Sequence, residues 1–211
     1  MQHKQMNETI SLFDSDETVN VLPVDGHAYY HGRVFEQASA ENYLESLLHT
    51  IPWKNDEVLI FGKRFVTARK VAWLGDMKFS YAYSGTIKKA TEWTPELLQI
   101  KSVVEKIVGE EFNSCLLNLY NNGSEGMGWH SDDEKCFGCD PTIASVSFGA
   151  TRKFAFKHKT QSWKVPIFLN SGSLLVMKGQ TQKYWQHALL KTTTVVQPRI
   201  NLTFRKIVDQ G

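Results

Sequence analysis

Seven residues near the end of the chain, Arg199-Ile200-Asn201-Leu202-Thr203-Phe204-Arg205, alternate strictly between polar and apolar side chains. Only an extended strand sorts such a run into two faces, because successive side chains of a strand point to opposite sides. Arg199, Asn201, Thr203 and Arg205 then share one face; Ile200, Leu202 and Phe204 share the other. The pattern requires a sheet with an apolar layer on one side. It leaves two readings of the polar row. Either that row faces water, or it lines the inside of a barrel, where planar guanidinium forks can grip carboxylates bidentately.

The rest of the chain fits a largely β architecture. Short runs rich in β-branched and aromatic residues, separated by Gly, Pro, Asn or Asp, predict strands at Val58–Phe61, Phe79–Tyr83, Cys115–Tyr120 and Ile143–Phe148. Further strands are expected at Lys153–Lys157, Leu174–Met177, His187–Leu190 and Ile200–Ile207. Two helices precede most of them. Leu44, Leu47 and Leu48 share a face between about Ala40 and His49, ahead of Ile51-Pro52. The second has Thr94 as cap, Pro95 in its first turn and Gly109 as a stop. This order predicts a mostly β fold with flanking helices, a β-sandwich or jelly roll. The 211 residues suit one domain, read as 21–211 behind a flexible polar tail at 1–20.

Charge is distributed unevenly. Met1 to Asp140 holds 13 Lys and Arg against 21 Asp and Glu, whereas Pro141 to Val208 holds 11 Lys and Arg and no acid. One reading is a face for a polyanion or for carboxylates; the other is a basic half neutralised by the acidic half. No apolar run is long enough for a membrane helix, and residues 1–20 lack the apolar core of a secretory signal. Cys115, Cys136 and Cys139 are too few for a disulfide framework. An intracellular monomer without membrane association is expected, cytoplasmic if bacterial and nuclear if eukaryotic.

The strongest local motif is Trp129-His130-Ser131-Asp132-Asp133-Glu134. Two ligands separated by one residue on an extended segment project to the same side, so His130 and Asp132 can occupy two positions of one metal ion. A distant histidine, with His187 as candidate, completes a two-His-one-carboxylate face that leaves positions open for other ligands. Taken alone, His130 and Asp132 also fit a hydrogen-bonded pair in a loop. Asn118 and Tyr120 share a strand face and could donate to one ligand. Cys136-Phe137-Gly138-Cys139 has the spacing of half a zinc site, but no second pair follows it.

Asn118/Tyr120, His130/Asp132/Glu134, His187 and Arg199/Asn201/Thr203/Arg205 follow one another in an order that resembles the AlkB family of Fe(II)/2-oxoglutarate-dependent dealkylases, closest to the branch acting on duplex DNA. The resemblance runs from about Val58 to Ile207. It implies a double-stranded β-helix with the site between its sheets. His130, Asp132 and His187 would bind iron as the catalytic centre; Asn118, Tyr120, Arg199, Thr203 and Arg205 would bind 2-oxoglutarate; Asn201 would support the strand. With O2 as co-substrate, the implied reaction hydroxylates the alkyl group of 1-methyladenine or 3-methylcytosine, and formaldehyde, succinate and carbon dioxide leave.

The same resemblance implies substrate contacts. Phe61 would wedge into the gap left by an extruded base, with Gly62 at the turn and Lys63 on phosphate. Arg69 would contact DNA nearby. Tyr81 and Tyr83, flanking Ala82, would line the base pocket and stack on a cationic base. Asp133 and Glu134 would meet its amino group or charge, and Arg152 would contact flanking backbone. Alkylated DNA is the expected partner, with RNA as the alternative; a basic jelly roll that binds nucleic acid without catalysis is the rival class.

Overall fold

The computed structural model describes residues 19–60, 63–76, 80–83 and 86–208. Its elements in chain order are β1 (His27–Arg33), α1 (Gln37–Thr50), β2 (Lys54–Ile60), β3 (Lys63–Gly75), β4 (Ser80–Tyr83) and β5 (Thr86–Lys89). They continue with α2 (Pro95–Val108), β6 (Ser114–Tyr120), β7 (Met127–His130), β8 (Ile143–Gly149), β9 (Arg152–His158) and β10 (Lys164–Leu169). The last are β11 (Ser173–Lys178), α3 (Thr181–Tyr184), β12 (Trp185–Leu189) and β13 (Arg199–Arg205).

The alternating strand β13 is the centre of the larger sheet, whose order is β1-β11-β8-β13-β6-β3-β2. It pairs antiparallel with β6 (Asn201 opposite Asn118) and with β8 (Asn201 opposite Ser147). A second sheet runs β10-β9-β12-β7, and β4 and β5 form a separate hairpin. Two antiparallel sheets face to face form the expected double-stranded β-helix.

The apolar row of β13 decides which side of the larger sheet the helices cover. Ile200, Leu202 and Phe204 are fully buried with Leu117, Val146 and Phe148 against Leu47 of α1 and Leu97, Ile100 and Val104 of α2. Each such side chain contributes about 2 kcal/mol by leaving water. Helix α2 has the ends read from sequence. The Thr94 hydroxyl accepts from the Leu97 amide at 3.3 Å, and Gly109 ends the helix in the left-handed conformation at φ 75°. Strands β1, β3, β5, β7 and β10, the helix α3 and a 3-10 turn at Lys135–Phe137 are additions to the predicted elements. Asn20, assigned to the tail, is held in the fold: its side chain accepts from the Leu22 and Ala28 amides. Residues 1–18 lie outside the described residues.

The charge asymmetry finds partners across the chain. Lys159 meets Asp133 at 3.6 Å, Lys178 meets Glu110 at 3.3 Å, and Arg205 meets Asp132 at 2.8 Å. These three of the eleven cations in the acid-free half pair with acids of the other half. Arg152 corrects an expectation. It is 1% exposed and cannot reach a nucleic-acid backbone. Its guanidinium is committed to the carbonyls of Asn122, Gly123, Glu125 and Leu190, at 2.7 to 3.2 Å. It ties the β6–β7 connection to the end of β12. Replacing Arg152 with Met leaves those carbonyls unsatisfied, so urea unfolding should show a loss of about 3 kcal/mol.

Candidate active site

The polar row of β13 faces a cavity between the sheets and is buried there. Arg199 is 2% and Thr203 7% exposed, and both line the cavity with Asn201 and Arg205. Strand β6 adds Ser114, Leu116, Asn118 and Tyr120, and β3 adds Arg69, Val71 and Trp73. The smaller sheet supplies Met127, His130, Phe154, His187 and Leu189 from the other side.

His130 and His187 are directly opposite across β7 and β12, with ring centroids 4.3 Å apart. Asp132 follows His130 by two residues and points to the same place. One ligand atom from each of the three lies within 4.8 Å of the others. The His130 ring is oriented by Gly128: Nδ1 lies 2.9 Å from that carbonyl, and Nε2 faces Asp132 Oδ1 at 3.7 Å. Donation from Nδ1 leaves Nε2 with its lone pair toward the cluster. Phe154 stacks on His187 at 5.4 Å. The Gln182 side chain accepts the Asp132 amide at 2.9 Å, and the Ser131 hydroxyl donates to the Trp185 carbonyl, also at 2.9 Å.

The electrostatics suit cation binding. Burial would raise the Asp132 carboxyl, but Arg205, His187 and His130 beside it outweigh that and hold it at about 2. Burial, with help from His130 and Arg205, lowers His187 to about 3 against the opposing pull of Asp132. At neutral pH the cluster therefore presents a carboxylate and a neutral buried imidazole, the states that coordinate a metal. A borderline donor set of two nitrogens and a carboxylate oxygen on one side fits Fe(II).

Arg199 fits the other ligand. Its Nη2 donates to Ser147 Oγ at 2.9 Å, its guanidinium lies 5.6 Å from the Tyr120 ring centre, and buried Nε has no hydrogen-bond partner. No described carboxylate forms an ion pair with it. Burial lowers its pKa to about 10, so it stays charged at neutral pH. A buried cation without an anion is costly unless a ligand supplies one. Arg205 differs: it pairs with Asp132 and lies 5.1 Å from the Phe137 ring. Thr203 donates to Asn201, whose amide in turn donates to Ser145 and to the Val146 carbonyl. Asn201 therefore supports the strand.

The expected substrate contacts separate. Glu134 lines the cavity, and its buried Oε2 has no hydrogen-bond partner. Asp133 does not line it; its side chain is 64% exposed and faces Lys159. Arg69, expected on DNA, is instead 6% exposed and turned inward, because Asp56 and Asn118 hold its guanidinium. Phe61 and Gly62 lie outside the described residues. Lys63 opens β3, and Tyr81, Ala82 and Tyr83 form β4; for these four only backbone position is described. Sequence reading missed Asp56, Ser147, Phe154 and Gln182. The one available signal was the acid pair Asp56-Glu57 just ahead of an apolar run.

A double-stranded β-helix with a two-His-one-carboxylate face beside a buried arginine defines the class of non-haem Fe(II) oxygenases. The profile of the 2OG-Fe(II) oxygenase superfamily matches residues 26–205. The alkB homolog 3 dioxygenase of Bos taurus is 39% identical over 177 residues, which are 80% of this chain and 62% of that protein. The human DNA oxidative demethylase ALKBH2 is 37% identical over 186 residues, 83% of this chain and 71% of that protein. The solved structure of OsALKBH1 superposes with a TM-score of 0.59 over 85% of this chain and 97% of its own, at 15% identity, and so supports the fold. The chain belongs to the AlkB family of the 2OG-Fe(II) oxygenase superfamily. It spans about 62% of the length of the alkB homolog 3 relative.

Proposed function

We propose that this protein removes alkyl groups oxidatively from N-alkylated DNA bases, with 1-methyladenine and 3-methylcytosine as substrates. The observation that carries the reading is the His130–Asp132–His187 cluster beside the buried guanidinium of Arg199, with which no described carboxylate pairs. One group asks for a divalent cation and the other for a carboxylate, and both open on one cavity. Relatives that are named DNA oxidative demethylases support the substrate class.

In this reading His130, Asp132 and His187 hold Fe(II), which when bound supplies oxidation of an unactivated alkyl carbon with O2 and 2-oxoglutarate. Arg199 grips one carboxylate of 2-oxoglutarate, with the Tyr120 ring against the guanidinium and the Asn118 amide beside it. Arg205 and Thr203 lie along the other end of the same strand, where Arg205 also fixes the orientation of Asp132. Glu134 Oε2, buried and unpartnered, is placed to accept from an exocyclic amino group or to face a cationic base. Walls of Leu116, Val71, Phe154 and Leu189 exclude water from the reacting carbon.

The test is formaldehyde and succinate release from 1-methyladenine oligonucleotides, single- and double-stranded, with Fe(II), ascorbate and 2-oxoglutarate. Turnover abolished by His130→Ala is the expected result. Succinate formed only with RNA or peptide would keep the centre and move the substrate. Nucleic-acid binding without succinate under any condition would reject the enzymatic reading.

A further inference from the structure

Asp56 is 2% exposed on β2, near the edge of the larger sheet, where a charged group is usually solvated. The β2–β3 pairing is irregular at that point: Asn55 faces Lys70 and Glu57 faces Val66, so Asp56 alone opposes Thr67, Ala68 and Arg69. Such a bulge re-aims side chains. It is pinned by Asn55, whose amide donates to the Thr67 carbonyl, and by Thr67, whose hydroxyl donates to the Arg69 carbonyl, both at 2.9 Å. The result turns Arg69 from the outer surface into the cavity wall.

Inside, Asp56 grips Arg69 Nη2 in a buried ion pair. Nη1 of the same rigid fork donates to Asn118 Oδ1 at 2.8 Å and touches Met127 Sδ at 3.2 Å. With Oδ1 taken by Arg69, the NH2 group is the end of the Asn118 amide left for a ligand in the cavity that this residue lines. A free asparagine can flip and present either end; this one is held as a donor. Carboxylates take donors only.

We infer that Asp56 is a positioning residue for the dicarboxylate co-substrate, acting through Arg69 to hold the Asn118 amide as a donor. The inference rests on the reading of Asn118 as a 2-oxoglutarate contact. The bulge thereby ties the β2–β3 hairpin to the co-substrate wall, without Asp56 touching the ligand.

Calorimetric titration of the full chain with 2-oxoglutarate at fixed Mn(II) tests this. Asp56→Asn should weaken 2-oxoglutarate about tenfold, as loss of an orienting partner does, while Mn(II) affinity stays within about twofold of wild type. Asn118→Ala should weaken it comparably, and Asp56→Asn should add nothing in that background. An undiminished Asp56 effect in the Asn118→Ala background, or none in the wild type, overturns the inference. Unchanged binding in Asn118→Ala overturns the co-substrate reading of that residue and the inference with it. Asp56→Asn leaves a buried guanidinium unpaired and risks misfolding. The double variant Asp56→Asn/Arg69→Met removes both charges and should fold. It too should bind 2-oxoglutarate about tenfold more weakly, and wild-type affinity in a folded double variant sinks the idea.

Discussion

Asp132→Ala is expected to slow 2-oxoglutarate turnover by on the order of 10³-fold, because a bound metal supplies several kcal/mol at about 1.4 kcal/mol per tenfold. The loss should be larger than for an ordinary ligand deletion. Asp132 is both a ligand candidate and the partner of Arg205, at 2.8 Å. Removing it leaves a second guanidinium in the cavity without its carboxylate, and that charge repels the incoming cation. Mn(II) titration should therefore show weaker binding in Asp132→Ala than in Asp132→Ala/Arg205→Met. Equal affinities would mean that Arg205 does not act on the metal through its charge. Acid titration bears on the same point. The Asp132 carboxyl is held at about 2, so it remains ionised well below neutral pH, and metal binding between pH 5 and 8 should not track its protonation.

Arg199→Met should weaken 2-oxoglutarate by about 3 kcal/mol, or ~10²-fold, the usual cost of removing one member of a buried charged pair. The same substitution should leave the ligand-free protein no less stable in urea. Its guanidinium is buried over Tyr120 with a serine hydroxyl as its hydrogen-bond partner and no described acid in an ion pair with it, so the folded state already bears the cost of an uncompensated charge. Arg199→Lys keeps the charge but loses the planar fork, and should bind about tenfold more weakly than wild type. Destabilisation of the ligand-free Arg199→Met variant would show that the arginine belongs to the scaffold instead. The contrast with Arg152 is direct: both are fully buried, but Arg152 has four carbonyls and Arg199 has room for an anion.

Residue pattern alone determined a good part of this protein. The period-two alternation of β13 sorted Arg199, Asn201, Thr203 and Arg205 from Ile200, Leu202 and Phe204. His130 and Asp132, separated by one residue, were legible as co-directed ligands, and Thr94, Pro95 and Gly109 marked the ends of α2. These features are local: spacing and backbone geometry decide them before any long-range contact forms. Strands such as β3 and β10 were not legible, because their mixed polar and apolar residues are explained only by the neighbours they pair with.

Tertiary structure alone decided which faces were covered. Alternation says that four polar residues share a side but not whether water or a second sheet lies over it. The sheet carrying His130 and His187 closes that side and turns a surface pattern into a buried ligand wall. It also decided where the long cations go. Arg69 and Arg152 read as surface contacts because arginine usually keeps its head in water. A β-bulge brought Asp56 to one, and the β6–β7 loop with the residue after β12 brought four carbonyls to the other. Backbone carbonyls occur at every residue, and an ion pair between Asp56 and Arg69 depends on a register irregularity. Neither leaves a residue-type signature along the chain, so only the folded arrangement could assign those two arginines.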